Sequence, residues 1–234
     1  MARKFRALSS EEIARLTAQL CTCDDWSKIE VAEGFNAARV KSTHFSGSVK
    51  LGVFDGQASF SSGLKKPAGI SNATIHNCTI GDNVYINQVG NYIANYVIED
   101  DVVIENVDLL AVDGQTSFGN GTEVAVINEA GGREIPIYDH LSAHTAYIIA
   151  LYRHKPRVVE NLRKMIADYT ASVTSNTGLI GKAARIINCK IIENVKIGPA
   201  CVIEGATRLE NGSLNSCFEH PVHIGAGVLA EDFI

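Results

Sequence analysis

Seven histidines are the side chains of this 234-residue chain best suited to moving protons near neutral pH, and their neighbours decide which could do so. His76 directly follows Ile75, one of a regularly spaced series of aliphatic residues, so an inward Ile75 turns His76 outward. There it could serve as a catalytic general base; the competing reading is a solvated corner histidine. His223 stands just before Ile224-Gly225 and carries the same two readings, as a binding residue or a solvated one. His140 and His144 are four residues apart in a stretch of helical spacing, so they share a face on which one imidazole could orient the other. His144 is on that ground a second candidate base. No third ligand follows at a recognisable spacing, and no metal site is expected. The strongest binding candidate is Gly131-Gly132-Arg133-Glu134. Its glycines let backbone approach a ligand, Arg133 offers a planar fork to phosphate or carboxylate, and a helix follows. The competing reading is a linker in which Arg133 and Glu134 pair locally. No P-loop or dinucleotide fingerprint occurs, which disfavours a kinase or a dehydrogenase.

The elements that must position these residues follow from an internal repeat. Residues 72–89 overlay 90–107 at an offset of 18, with Ile75 on Ile93, Ile80 on Ile98, Ile86 on Ile104 and Val89 on Val107. Residues 179–195 overlay 196–212 at an offset of 17, with Ile180 on Ile197 and Ile186 on Ile203. Within each block the aliphatic anchors recur about every six residues, a spacing that neither a helix nor simple alternation produces. Six residues make a short strand and a corner, and three such units return the chain to a point about 4.8 Å further on, one strand spacing. The expected product is a triangular parallel β-coil with stacked Ile inside and amide ladders of Asn77 over Asn95 and Asn194 over Asn211 at the corners. Ile98 is expected to be enclosed and stacked on Ile80.

Three segments break the repeat. Ser9 and Glu12 form a capping box ahead of Ile13, Leu16 and Leu20, predicting a helix that covers the first edge of the coil. Residues 139–173 keep helical spacing on either side of Lys155-Pro156, predicting a helical hairpin. Asn215–Val222 reads as a loop. The chain thus divides into an N-terminal helical or extended cap (1–44), a first β part (45–138), a helical hairpin (139–177) and a second β part (178–234). At 46% hydrophobic residues and 20% charged it can build a core. A net charge of −5 and no Lys/Arg run longer than a pair argue against nucleic acid and membrane surfaces as partners. The basic start runs into Ser9-Ser10-Glu11-Glu12 instead of an apolar leader segment, and the six cysteines lack paired CxxC spacing. A soluble cytoplasmic protein with free thiols is expected.

Units such as Ile80-Gly81-Asp82-Asn83-Val84-Tyr85, Ile98-Glu99-Asp100-Asp101-Val102-Val103, Ile197-Gly198-Pro199-Ala200-Cys201-Val202 and Ile224-Gly225-Ala226-Gly227-Val228-Leu229 resemble the hexapeptide repeat of bacterial transferases. The likeness covers about residues 45–130 and 178–234. The whole arrangement, including Asn128-Glu129-Ala130-Gly131-Gly132-Arg133-Glu134-Ile135-Pro136, also resembles a family of long hexapeptide-repeat proteins from gut Bacteroides-type bacteria that brings no established chemistry. The resemblance implies an all-β solenoid, a left-handed parallel β-helix, here with an N-terminal helix and an inserted α-helical hairpin. It further implies a homotrimer that binds acyl-CoA or a nucleotide-sugar in grooves between subunits, with a histidine as general base.

Two functions follow. One is an acyltransferase-like protein that uses an acyl-CoA donor on a sugar or nucleotide-sugar, with His76 or His144 as base and Arg133 holding phosphate. The other is a non-catalytic oligomerisation or ligand-binding module of a longer protein. The last unit, Ala230-Glu231-Asp232-Phe233-Ile234, carries no capping helix, so the chain is expected to continue beyond Ile234.

Overall fold

Stiff β-branched residues at six-residue spacing give short strands, and the side chains that alternate inward from them share one interior. The structure, a computed structural model, describes residues 3–60, 63–126 and 131–234. Seventeen strands form one sheet whose pairings fall into three runs. Phe45, Ile75, Ile93, Leu110, Ile192 and Leu209 lie side by side in the first. The second aligns Leu51, Ile80, Ile98, Ile180, Ile197 and Leu214. In the third, Val40, Ile70, Ile86, Ile104, Ile186 and Ile203 are neighbours. All of these anchors are buried in a single core. The overlays of residues 72–107 and 179–212 are therefore strand registers. Strands Val40–Ser46 and Ile29–Ala32 already belong to the large sheet.

Asparagines turn the corners. Asn77, Asn95, Asn194 and Asn211 all sit at positive φ, which asparagine tolerates better than most residues. Their side chains mostly reach backbone of a neighbouring segment and do not stack as the expected amide ladders. Asn77 Oδ1 accepts from Ser48 N–H at 3.0 Å, Asn95 Nδ2 donates to Val112 O at 2.8 Å, and Asn194 Oδ1 accepts from Asp113 N–H at 2.9 Å. A left-handed corner leaves peptide groups without sheet partners, and a side-chain amide beside them satisfies that need first.

Helix α1, Ser10–Ala18, begins at a capping box: Ser9 Oγ accepts from Glu12 N–H, and the Glu12 carboxylate accepts from Ser9 N–H. It buries Leu16, and Gln19 just beyond it donates to Ala37 O and Val40 O. Helices α2, Ala143–Leu151, and α3, Pro156–Val173, follow the sheet strand Val103–Ala111; Ser142 caps α2, and Pro156 opens α3, where its missing N–H costs nothing. No helix among the described residues is long and apolar enough to cross a membrane. Four of the six free cysteines are buried, and burial pushes the Cys78 and Cys201 thiols up to about 12, as for small core residues.

Two expectations are corrected here. The all-β solenoid, a left-handed parallel β-helix, gives way to a large mixed sheet with three helices. Phe5–Ala7 runs antiparallel to Ile29–Ala32, and two small antiparallel sheets stand outside the large one: Gln57–Ser59 with Lys65–Pro67, and Glu123–Ala125 with Glu134–Pro136. Repeat spacing specifies which anchors become neighbours, whereas an open strand edge takes any partner that supplies its unpaired N–H and C=O groups. The first edge accordingly recruits an antiparallel strand as well as α1. The second correction concerns α2 and α3, which are not an inserted hairpin. Apolar residues ring α2, so one neighbour cannot cover it; it packs on both α3 and Glu134–Pro136. Ile135, Tyr138, Ile149, Ala150 and Ile166 form the separate core of this α/β sub-assembly.

Asp139 fastens that sub-assembly to the large sheet. Its carboxylate accepts from Tyr169 OH at 2.8 Å and Asn215 Nδ2 at 3.2 Å, with Lys196 Nζ at 3.5 Å. Burial pushes this carboxyl up, but the donors together outweigh burial and hold it below its ordinary value. Thr116 and Ser175 close the base of the excursion with two backbone bonds of 2.9 Å.

Candidate functional site

The outward residue that follows each anchor of the first run has its own column: Ser46, His76, Ala94, Ala111 and Glu193 are successive strand partners. Alanine at two adjacent places lowers the surface between the imidazole and the carboxylate. Thr74, Tyr92 and Leu109, two residues earlier on their strands, face the same side. Asn95, Val112 and Asp113 close the corner, and the resulting cleft measures about 450 Å³.

His76 is locked at both nitrogens. Asn77 Oδ1 is committed to Ser48 N–H, so its amide nitrogen faces His76 Nε2 at 2.8 Å and makes that nitrogen an acceptor. The ring proton therefore sits on Nδ1 and is donated to Ser46 Oγ at 2.8 Å. An imidazole so held presents a fixed polar edge to the cleft. It does not activate Ser46, because the serine oxygen is already accepting. Asp113 and Glu193 add carboxylates, and no lysine or arginine is among the described lining residues.

The other residues singled out in the sequence lie elsewhere. Gly131, Gly132, Arg133 and Glu134 sit at the sub-assembly, where Gly132, Arg133 and Glu134 line a separate cavity of about 310 Å³ with Arg153 and Arg163. Both glycines have positive φ. Glu134 Oε1 folds back to accept from Gly132 N–H at 2.7 Å, and this bond first, then its own backbone N–H, with Arg163 and Arg153 adding less, holds its carboxyl below the ordinary value. Arg163 is bonded to Glu123 and to Glu134 O. Arg133 itself lines the cavity beside Arg153 and Arg163. Asn128-Glu129-Ala130, which precede it, lie outside the described residues.

His140 and His144 do not share a helix face. Helix α2 starts at Ala143, so His140 precedes it and packs edge-on against Tyr169 with centroids 5.1 Å apart, while His144 is exposed. His223 is exposed on the short strand His223–Ile224. None of these lines the cleft of His76. Among the described residues no three His, Cys, Asp or Glu side chains are grouped to hold a metal. Sequence reasoning missed Ser46, Tyr92, Asn95, Asp113 and Glu193. The signal was present for Ser46 and Glu193, since each directly follows an anchor, as His76 does.

The chain matches, over residues 5–234, the family described as Domain of unknown function (DUF4954). A protein of Treponema pallidum (strain Nichols), described as an uncharacterized protein, is 29% identical over 237 residues, covering 97% of this chain and 33% of that protein. The chain thus spans about a third of that relative's length. These matches correct the resemblance to hexapeptide-repeat transferases and to a Bacteroides-type family of such proteins: the family whose model matches is another, and the similar protein named above is from Treponema. Units of aliphatic residue, glycine and small residue are what short paired strands with tight corners demand, whatever the chemistry, so they do not identify a transferase. Because the match runs through both repeat blocks and the α/β sub-assembly between them, the chain belongs to the DUF4954 family of domains of unknown function.

Proposed function

We propose that this chain is a saccharide-binding module whose site is the His76 cleft. The observation that carries the reading is the lining: an aromatic ring, two carboxylates, an amide and hydroxyls around an alanine floor, with no cationic side chain among the described lining residues. A pyranose offers an apolar C–H face and a rim of hydroxyl donors. Tyr92, 37% exposed, supplies a platform for the face, while Asp113 and Glu193 supply the strongest acceptors for the rim. The same carboxylates repel a phosphate, which makes the cleft a poor seat for acyl-CoA or the diphosphate of a nucleotide-sugar. Acyl transfer with His76 as base would require Nε2 to leave Asn77 before it could take a proton, so the geometry supports binding better than turnover. A cytoplasmic setting is part of this reading and is supported by six free cysteines.

Calorimetric titration with gluco-, manno- and galacto-configured monosaccharides, acetyl-CoA and a uridine-diphosphate sugar tests it. A neutral sugar should bind, and Tyr92→Ala should weaken it by about three- to tenfold, the worth of one aromatic contact. Binding of only the phosphate-bearing compounds, or an unchanged affinity in the variant, would overturn the reading.

A further inference from the structure

On the other side of the Asn77–Asn95 corner the surface is hollowed again, in a second cavity of about 550 Å³. Asn95 lines both hollows, and Asn77, whose amide holds His76, lines this one. We infer that the ligand of this module is an oligosaccharide of at least two residues, seated with one sugar in the His76 cleft and the next across the corner in this second hollow. The inference rests on the saccharide reading of the cleft.

The chemistry of the second hollow differs from that of the first in an informative way. Ser48, Thr79, Asn176 and Thr177 contribute hydroxyls and amides, and the described lining contains no charged side chain. Val97, outward on the strand Tyr96–Ile98 and 37% exposed, is its apolar patch. The Tyr96 hydroxyl takes no part, because it donates to Val195 O at 2.8 Å inside the core. Neutral hydrogen-bonding groups around an aliphatic patch suit a chain that stays uncharged and hydroxylated along its length, which a nucleotide does not.

The far wall is built before any ligand arrives. Asn176 and Thr177 directly follow Ser175, whose backbone is bonded to Thr116, and Ser175 Oγ accepts from Thr177 N–H at 2.9 Å. Thr177 Oγ1 donates in turn to Asn176 Oδ1 at 3.2 Å. A wall held in this way does not have to be ordered by the ligand, so each added contact contributes to affinity.

The test is a length series of gluco-, manno- and galacto-configured saccharides of one to four residues, titrated into the wild-type chain and Val97→Arg. Val97 is on the surface, so the arginine fills the second hollow without entering the core. In the series that binds, affinity should tighten at least about tenfold between one residue and three, the factor two net hydrogen bonds give. Val97→Arg should return the trisaccharide to the monosaccharide affinity while leaving the monosaccharide unchanged. Amide chemical shifts provide an independent readout: the monosaccharide should perturb His76 and Ala111, and the trisaccharide should perturb Thr79, Val97 and Thr177 as well. Monosaccharide binding with no gain on lengthening, or a gain that survives Val97→Arg without shifts at Thr79 and Thr177, overturns this inference alone. Absence of binding by every saccharide overturns the parent reading instead.

Discussion

Glu12 is the most heavily engaged carboxylate near the N-terminus. Arg6 Nη1 and Nη2 both donate to it at 2.8 Å, and it accepts from Ser9 N–H at the start of α1. Arg6 first, with the Ser9 bonds adding, lowers its pKa to about 2. A carboxyl depressed in the folded state stabilises fully above its unfolded value of about 4.3, and that contribution is lost as pH falls towards 2. Arg6 is partly open to water, so screening limits the ion pair, and Glu12→Gln, whose amide oxygen can still accept from Ser9 N–H, should cost about 0.5–1 kcal/mol near pH 7 through loss of the pair with Arg6. Urea unfolding at pH 7 and at pH 2.5 checks this: the gap between wild type and variant should narrow at the lower pH. The cap itself was legible from Ser9 and Glu12 alone, because a capping box is a contact between residues three apart. Arg6 was not, since its side-chain direction depends on Phe5–Ala7 pairing as an edge strand.

Strands and helices differ in how much of their placement the sequence carries. Ile98 is 1% exposed and lies between Ile80 and Ile180, the first of which the repeat had already placed beside it. Ile98→Ala should cost about 2–5 kcal/mol in chemical denaturation; a loss near 0.5 kcal/mol would show that the anchor is not enclosed. Periodicity also marks the helical stretches, but it says nothing of what covers them. The partner of α2 in Glu134–Pro136 is invisible to a pattern search because a three-residue strand has no period to detect. The cleft was half legible for the same reason. His76 was found by its place after an anchor, while Tyr92, Asn95 and Asp113 converge on it only once the corner geometry is known. Tyr169 ties α3 to Asp139, and burial first, then that carboxylate, pushes its hydroxyl up to about 12. Tyr169→Phe should therefore cost about 1–3 kcal/mol, and hydrogen exchange should quicken in α3 while the large sheet is unaffected.

Among the buried clusters of the described residues, the two largest are unequal in size, which makes the molecule thermodynamically uneven. The large one runs the length of the sheet, whereas the sub-assembly rests on five buried residues and the Asp139 contacts. The single tryptophan, Trp26, packs against the large core, so its fluorescence reports the sheet, while circular dichroism at 222 nm is dominated by the helices. Unfolding in urea should then show the helical signal leaving before the fluorescence; coincident curves would mean that the cores melt as one. The paired backbone bonds between Thr116 and Ser175 have a consequence of another kind. They bring the chain back to where it left, and Phe118, buried on the large core and accepting from Ser213 Oγ through its carbonyl, anchors the outgoing arm. No strand of the large sheet lies among the described residues between Gly121 and Val173, so a neck closes behind them. Such a neck is a socket. A foreign domain whose two ends meet a strand spacing apart could be spliced there, and the sheet would carry it as cargo beside the Asn77–Asn95 corner.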